Sequence, residues 1–106
     1  MSPLTDPNNT DLLLAAKVIV PQNVVYRSFP TETVVLNLNT GKYHGLNATA
    51  GRMLDTLKAS GSVREAAAAL ADTYGQPQDV IEQDLCQLCR SLLERGLIET
   101  DGSPAP

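Results

Sequence analysis

The segment Leu38–Lys42 is the feature that most restricts how this chain can fold. Its letters, LNTGK, place a glycine after two turn-forming residues and between two apolar runs, a pattern typical of a type I turn closed by a left-handed glycine. Such a turn joins antiparallel strands, which we place over Thr33–Leu38 and Lys42–Leu46. Val24–Phe29, which is bounded by prolines and rich in Val and Tyr, predicts a strand ahead of them, and Val18–Val20 adds a short flanking piece.

The turn also predicts which residues of the two strands lie opposite each other. It pairs Leu36 with His44 and Val34 with Leu46. Because successive side chains of a strand point to opposite faces of a sheet, Val34, Leu36 and Leu46 share one face, which we expect to cover the core. The other face carries Val35, Asn37 and Tyr43.

Helical signals fill the chain after this hairpin. Asn47 or Thr49 caps a first helix, in which apolar residues recur at helical spacing. Ser62 and Glu65 have the spacing of a capping box, in which each side chain bonds a backbone amide left free at the start of the helix. This second helix ends at Gly75.

The third predicted helix is the longest and runs from Pro77 to about Arg95, after which residues 97–98 return to the core. One apolar stripe at helical spacing consists of Ile81, Leu85, Leu88 and Leu92. A second, partly apolar stripe beside it consists of Cys86, Cys89 and Leu93, and Val80, Leu88 and Cys89 widen the apolar face of the helix. Two interpretations of this extra width are open: it is an exposed binding surface, or the second helix covers it.

Together these elements predict an α+β fold, a three-stranded antiparallel sheet followed by three helices. A sheet of this size needs helices packed on it to be stable. The ordered domain is expected over residues 17–99. Residues 1–16 are expected to form a flexible amino-terminal arm and residues 100–106 a flexible carboxyl-terminal tail, because both ends are rich in polar residues and proline.

Charge and hydropathy narrow the classes of partner. The net charge is −4, whereas binding to nucleic acid or anionic lipid is driven by a basic surplus, so neither partner is expected. No stretch approaches the roughly 20 apolar residues of a membrane span. The first eleven residues hold two Asp and no Lys or Arg, unlike a secretory signal. With only two cysteines, this indicates a cytoplasmic protein.

The cysteines and the histidine indicate neither catalysis nor a cofactor. Cys86 and Cys89 lie in the middle of a predicted helix, where the dipole that lowers a thiol pKa at a helix start no longer acts, so we expect them to pack in the core. A zinc site needs four ligands, and beyond these cysteines the chain offers only His44 and carboxylates. We therefore predict no catalytic residue, no metal site and no cofactor.

Three segments in this order resemble the PqqD-like family, also known as the RiPP recognition element: VVLNLNTGKYHGLNATAGRML, SVREAAAALADTYG and VIEQDLCQLCRSLLERGLIE. The resemblance covers residues 18–99. It implies a fold related to the winged helix-turn-helix and binding of the leader of a ribosomally made precursor peptide. The features that carry it are Val34–Leu38, Gly41, Tyr43, Leu46-Asn47, Asp84-Leu85 and Gly96–Ile98.

In that family the leader adds as a strand beside the third strand, in a cleft against the third helix. The resemblance thus implies a pairing edge at Lys42–Leu46 and a helix wall along Val80–Ser91. Tyr43 either floors a pocket or packs on the sheet, and Gly45 either admits a bulky group or serves local geometry. The implied peptide-binding residues are Lys42, Tyr43, His44, Gly45, Leu46, Val80, Asp84, Gln87, Leu88 and Ser91.

Free-standing chains of this size resemble two groups within the family. Lasso-peptide leader-binding proteins deliver a precursor to a leader peptidase and then a cyclase, whereas PqqD itself presents its peptide to a radical SAM enzyme. The segment SVREAAAALADTYG and the polar arm favour the first group. In either group the resemblance implies a non-catalytic adaptor, and we expect a monomer or weak dimer. The other alternative is a winged-helix DNA-binding domain, which the four acidic and two basic side chains of residues 79–96 disfavour.

Overall fold

The computed structural model describes residues 10–101. A helix, α1 (Thr10–Ala15), precedes a short strand, β1 (Lys17–Ile19). The three strands of an antiparallel sheet follow, ordered β2-β3-β4 in space, and then three helices. This confirms the predicted α+β fold. The remaining elements are β2 (Val24–Ser28), β3 (Glu32–Asn37), β4 (Lys42–Asn47), α2 (Ala48–Ala59), α3 (Val63–Tyr74), α4 (Gln78–Glu94) and β5 (Glu99–Asp101).

The folded part of the chain is longer at both ends than the sequence predicts. Two leucines of α1 are buried in the core, and β1 pairs antiparallel with β5 in a separate two-stranded sheet. Residues 10–16 and 100–101 therefore differ from the predicted arm and tail. Their anchoring depends on partners far away in the sequence, which local composition does not reveal. The rest of that arm and tail, residues 1–9 and 102–106, lies outside the described residues.

The core is aliphatic, and α2 packs on β3 and β4 of the three-stranded sheet and also on β1. The Asn47 side chain accepts a hydrogen bond from the Ala50 N–H at 2.8 Å, so Asn47 is the cap of α2. Ser62 caps α3 as predicted, since its Oγ accepts from the Glu65 N–H at 3.1 Å, and Gly75 ends that helix. None of the helices between residues 10 and 101 has the length and apolar character that a membrane crossing requires.

The turn between β3 and β4 has four residues, one more than the sequence predicts. The Asn37 side chain organises it, because its Oδ1 accepts from the backbone N–H groups of Asn39 at 2.9 Å and Thr40 at 3.4 Å. Gly41 has a φ of 73°, the left-handed conformation that was expected of it. The turn closes on a pair between Asn37 and Lys42, which shifts the predicted pairing of the strands by one residue.

This shift reverses the faces of β3. The core-facing side chains of the strand are Thr33, Val35 and Asn37. Val34 and Leu36 point outward, so the prediction that they cover the core is wrong, whereas Leu46 is buried as predicted. A buried polar side chain is unfavourable unless it is hydrogen-bonded. Both polar residues meet this condition, Asn37 within the turn and Thr33 through a neighbouring hydroxyl at 2.9 Å.

Hydrogen bonding alternates along each strand of an antiparallel sheet. The Phe29 N–H donates to the Glu32 carbonyl at 2.7 Å, so the backbone of Glu32 bonds to β2. Every second residue of β3 therefore bonds to β2, namely residues 32, 34 and 36. The residues between them, 33, 35 and 37, bond to β4. The backbone groups of β4 that bond to β3 are therefore those of Lys42, His44 and Leu46. Those of Tyr43 and Gly45 point away from the sheet.

Gly51 allows α2 to lie close against β3, because a Cβ atom at this position would overlap the Thr33 hydroxyl. We expect Gly51→Ala to lower the free energy of unfolding by about 1–2 kcal/mol, since steric overlap outweighs the gain in helix propensity. Thermal unfolding followed by circular dichroism measures the change. The double variant Thr33→Ala/Gly51→Ala should recover part of the loss, and an unchanged melting temperature for Gly51→Ala would contradict the close contact.

Proline is accepted in a strand where its missing N–H would have faced away from the sheet. Gly45→Pro should therefore change the free energy of unfolding by less than about 1 kcal/mol. His44→Pro removes an N–H that bonds to β3 and should lower it by about 2 kcal/mol or more. Urea unfolding of the two variants tests the alternation, and equal losses would show that it is assigned wrongly.

Candidate functional site

β4 is an outer strand of the three-stranded sheet, and one side of it pairs with no other strand in the described part of the chain. The N–H and C=O groups of Tyr43 and Gly45 point to that side. Backbone groups in this arrangement can bind an extended chain as an additional strand, because the new strand satisfies them. The predicted edge, Lys42–Leu46, falls entirely within β4.

The five predicted edge residues divide between the two faces of the sheet. Tyr43, which is 70% exposed, and Gly45 lie on the outer face. The other three lie on the inner face, where Lys42 is exposed, His44 is half-buried and Leu46 is buried. Tyr43 and Gly45 can thus pair through their backbone, whereas Lys42 and His44 can contact a bound chain through their side chains.

The predicted residues of α4 form a continuous accessible strip. Four of them follow the i, i+4, i+7 and i+11 spacing of one helix face. Val80 is 42% exposed, Asp84 and Gln87 are exposed, and Leu88 and Ser91 are half-buried. The two halves of the predicted site lie on elements with different main neighbours, since α4 packs on α3 and α1, and β4 packs on β3 and α2.

The other side of α4 is buried, and it includes both cysteines. Cys86 and Cys89 lie in the core as free thiols, which confirms their predicted packing role. Burial raises the pKa of Cys86 and raises the pKa of Cys89 to about 12, so both thiols are protonated near neutral pH and are poor nucleophiles. The second stripe of the helix is thus largely covered, and of the residues that widen the apolar face Val80 is the exposed one. Within residues 10–101, no three His, Cys, Asp or Glu side chains cluster as metal ligands.

The outer face of the sheet carries a largely apolar surface that the sequence pattern does not predict. An open cavity of about 540 Å³ lies there, and we call it the outer-face cavity. The cavity depends on the strand pairing, which brings residues of β2, β3 and β4 together on one face of the sheet. In the sequence, Asn37 could have indicated this pairing, because an asparagine side chain often bonds the backbone of the following turn. Arg27 is the one charged residue among the described residues that line the cavity, and the other lining residues are apolar or aromatic: Val25, Tyr26, Phe29, Val34, Leu36 and Tyr43.

A second cavity, of about 560 Å³, lies at the opposite outer strand, between β2 and α2. The Tyr26 hydroxyl donates a hydrogen bond to Asp55 at 2.7 Å, and the Lys58 amine lies 5.6 Å from the centre of the Tyr26 ring. Burial and the Asp55 carboxylate raise the pKa of Tyr26, which keeps the phenol protonated as a donor. No residue of the predicted site lines this cavity.

Comparison with known proteins places the chain among relatives. The family described as "Coenzyme PQQ synthesis protein D (PqqD)" matches residues 32–98. The solved structure "TbiB1 in Complex with the TbiA(beta) Leader Peptide" is 30% identical, with a TM-score of 0.69 over 76% of this chain and 94% of that chain. "Lasso peptide synthetase B1 complexed with the leader peptide" is 25% identical, with a TM-score of 0.70 over 79% of this chain and 99% of that chain. No curated protein matches.

The family match includes the elements that carry the candidate site. Residues 32–98 contain β3, β4 and the helices α2, α3 and α4. The match thus spans more than half of the chain, and the two solved structures have the same fold over most of its length. This chain belongs to the PqqD family.

Proposed function

We propose that the chain is a non-catalytic adaptor that binds the leader of a ribosomally made precursor peptide, of the lasso-peptide class. The observation that carries this proposal is the unpaired side of β4, with the backbone groups of Tyr43 and Gly45 directed away from the sheet. Membership of the PqqD family supports it. Further support comes from the two similar structures, which are described as complexes with a leader peptide.

In this mechanism the leader becomes a fourth strand beside β4. Its hydrogen bonds to Tyr43 and Gly45 supply affinity with little demand on sequence, because every residue except proline has the same backbone groups. Selectivity comes from side chains on either side of the added strand. Lys42, His44 and Leu46 are the inward residues of β4, and the wall on α4 consists of Val80, Asp84, Gln87, Leu88 and Ser91.

The adaptor acts by holding the precursor near the enzymes that modify it. Binding the leader turns an encounter between precursor and enzyme into one at high effective concentration. The partners in the lasso class are a leader peptidase and then a cyclase. The chain's own chemistry is consistent with this division of work, since its cysteines are buried and protonated and its sole histidine has no nucleophile motif beside it.

The two alternatives have less support. A winged-helix domain that reads DNA needs cations on its recognition helix, but residues 79–96 carry four acidic and two basic side chains, and the exposed Asp84 lies in the accessible strip of α4. A carrier for a radical SAM enzyme would share the PqqD fold. One of the two similar structures is described as a lasso peptide synthetase B1 complexed with the leader peptide, and this favours the lasso class.

Strand addition makes a specific prediction for the peptide itself. The alternate amides of an added strand bond to β4, and the others face away. A scan of single N-methyl substitutions along the leader encoded beside this protein should therefore weaken binding about tenfold at every second residue. Isothermal titration calorimetry measures each dissociation constant. A scan in which neighbouring positions respond alike would contradict strand addition, and a leader that does not bind at all would contradict the proposed function.

The wall on α4 is tested by placing a charge in it. Val80→Asp should weaken leader binding about tenfold, because the leader's apolar side chains would lose an apolar contact and meet a carboxylate. The fold should be unaffected, since Val80 is 42% exposed. Ile19→Asp is the matched control, because Ile19 is 37% exposed but lies on β1. Equal effects of the two substitutions would remove α4 from the site.

A further inference from the structure

We infer that the outer-face cavity receives a bulky apolar side chain of the bound peptide, from the residue directly opposite Gly45. This inference rests on the proposed function. It adds a second selecting surface to the binding site, on the face of the sheet opposite the one that α2 covers. A leader would then be read from both faces of its strand, by the strip on α4 and by the outer-face cavity.

Gly45 has no evident role within the chain. Its φ is not positive, so its backbone is one that other residues adopt. A Cβ atom built at this position would meet nothing within 4 Å, so no neighbour requires the side chain to be absent. Glycine also weakens the interior of a strand. What the glycine provides is open space on the outer face, beside the unpaired side of β4.

That space is bordered by apolar side chains. Val34 lies directly opposite Gly45. These two residues make no backbone hydrogen bonds to each other, because Val34 bonds to β2. In an antiparallel sheet such a pair lies closer together than a hydrogen-bonded pair, with Cα atoms about 4.5 Å apart. Tyr43 stands two residues away on the same face of β4, opposite Leu36. Val34, Leu36 and Tyr43 all line the outer-face cavity. The side away from β3 is the one that an added strand would occupy.

Strand geometry identifies the group that would fill the space. Paired residues of neighbouring strands have their side chains on the same face, so the peptide residue opposite Gly45 points to the outer face. With no side chain at position 45, that group can lean across β4 toward Val34. A long aliphatic or aromatic side chain would cover the apolar lining, whereas a small or charged one would leave it exposed to water.

Filling the space from the protein side tests this inference. The probe is the leader encoded beside this protein, fluorescently labelled, with its single-alanine variants, and fluorescence anisotropy gives the dissociation constants. Gly45→Val should bind the unchanged leader about tenfold more weakly than wild type. It should melt at the same or a higher temperature, because valine favours a strand. One alanine substitution in the leader should cost wild type about tenfold and Gly45→Val much less.

A matched pair of substitutions locates the effect. Val34→Ala should weaken binding several-fold, because Val34 faces the space over Gly45. The same change at Val20, a half-buried valine at the second cavity, should leave binding unchanged. If Gly45→Val does not fold, the comparison of Val34→Ala with Val20→Ala decides.

The outcomes separate the inference from the function on which it rests. Gly45→Val with wild-type affinity, or an alanine scan with the same profile in both proteins, would overturn the outer-face pocket while leader binding stands. Equal affinities of Val34→Ala and Val20→Ala would do the same. A leader that fails to bind wild type would contradict the proposed function itself.

Discussion

β3 lies between β2 and β4, so the backbone N–H and C=O groups of each of its residues bond to one neighbour or the other. In β4, the backbone groups of every second residue therefore bond to β3, and those of the residues between point away from the sheet. The same pairing decides which side chains of β4 face the core. Unpaired backbone groups and a glycine beside a cavity thus arise together at Tyr43 and Gly45, from one set of hydrogen bonds.

The inner face keeps this pairing in place. Gly51 lets α2 approach Thr33 closely, and the Asn37 side chain accepts a hydrogen bond from the backbone of the four-residue turn. A slip of one residue in the pairing would expose Val35, now 1% exposed, and turn Val34 inward. The helices therefore stabilise one arrangement of the strand edge.

Much of the fold follows from local signals in the sequence. The caps at Asn47 and Ser62 and the end of α3 at Gly75 depend on nearby backbone groups, and they could be predicted. Burial of the two cysteines followed from helical spacing. The pairing of β3 with β4 could not be derived in the same way, because it depends on whether the Asn37 side chain bonds within the turn and lengthens it.

The two elements of the candidate site could be predicted from the sequence, whereas the outer-face cavity could not. The outer strand and the face of α4 follow from element order, helical spacing and a family resemblance. The outer-face cavity needs the correct pairing of three strands, so an error of one residue conceals it. Pairing of β1 with β5 joins residues that are eighty or more positions apart, and neither segment alone indicates the other.

The pairing of β1 with β5 has a consequence for how the two ends of the described chain support each other. Lys17 lies opposite Asp101, and Ile19 lies opposite Glu99. Val18, the central residue of β1, belongs to the core and is 1% exposed. Because a short strand is unstable without a partner, shortening the chain before β5 would leave β1 unpaired and weaken the packing of Val18, although the change lies at the other end of the sequence.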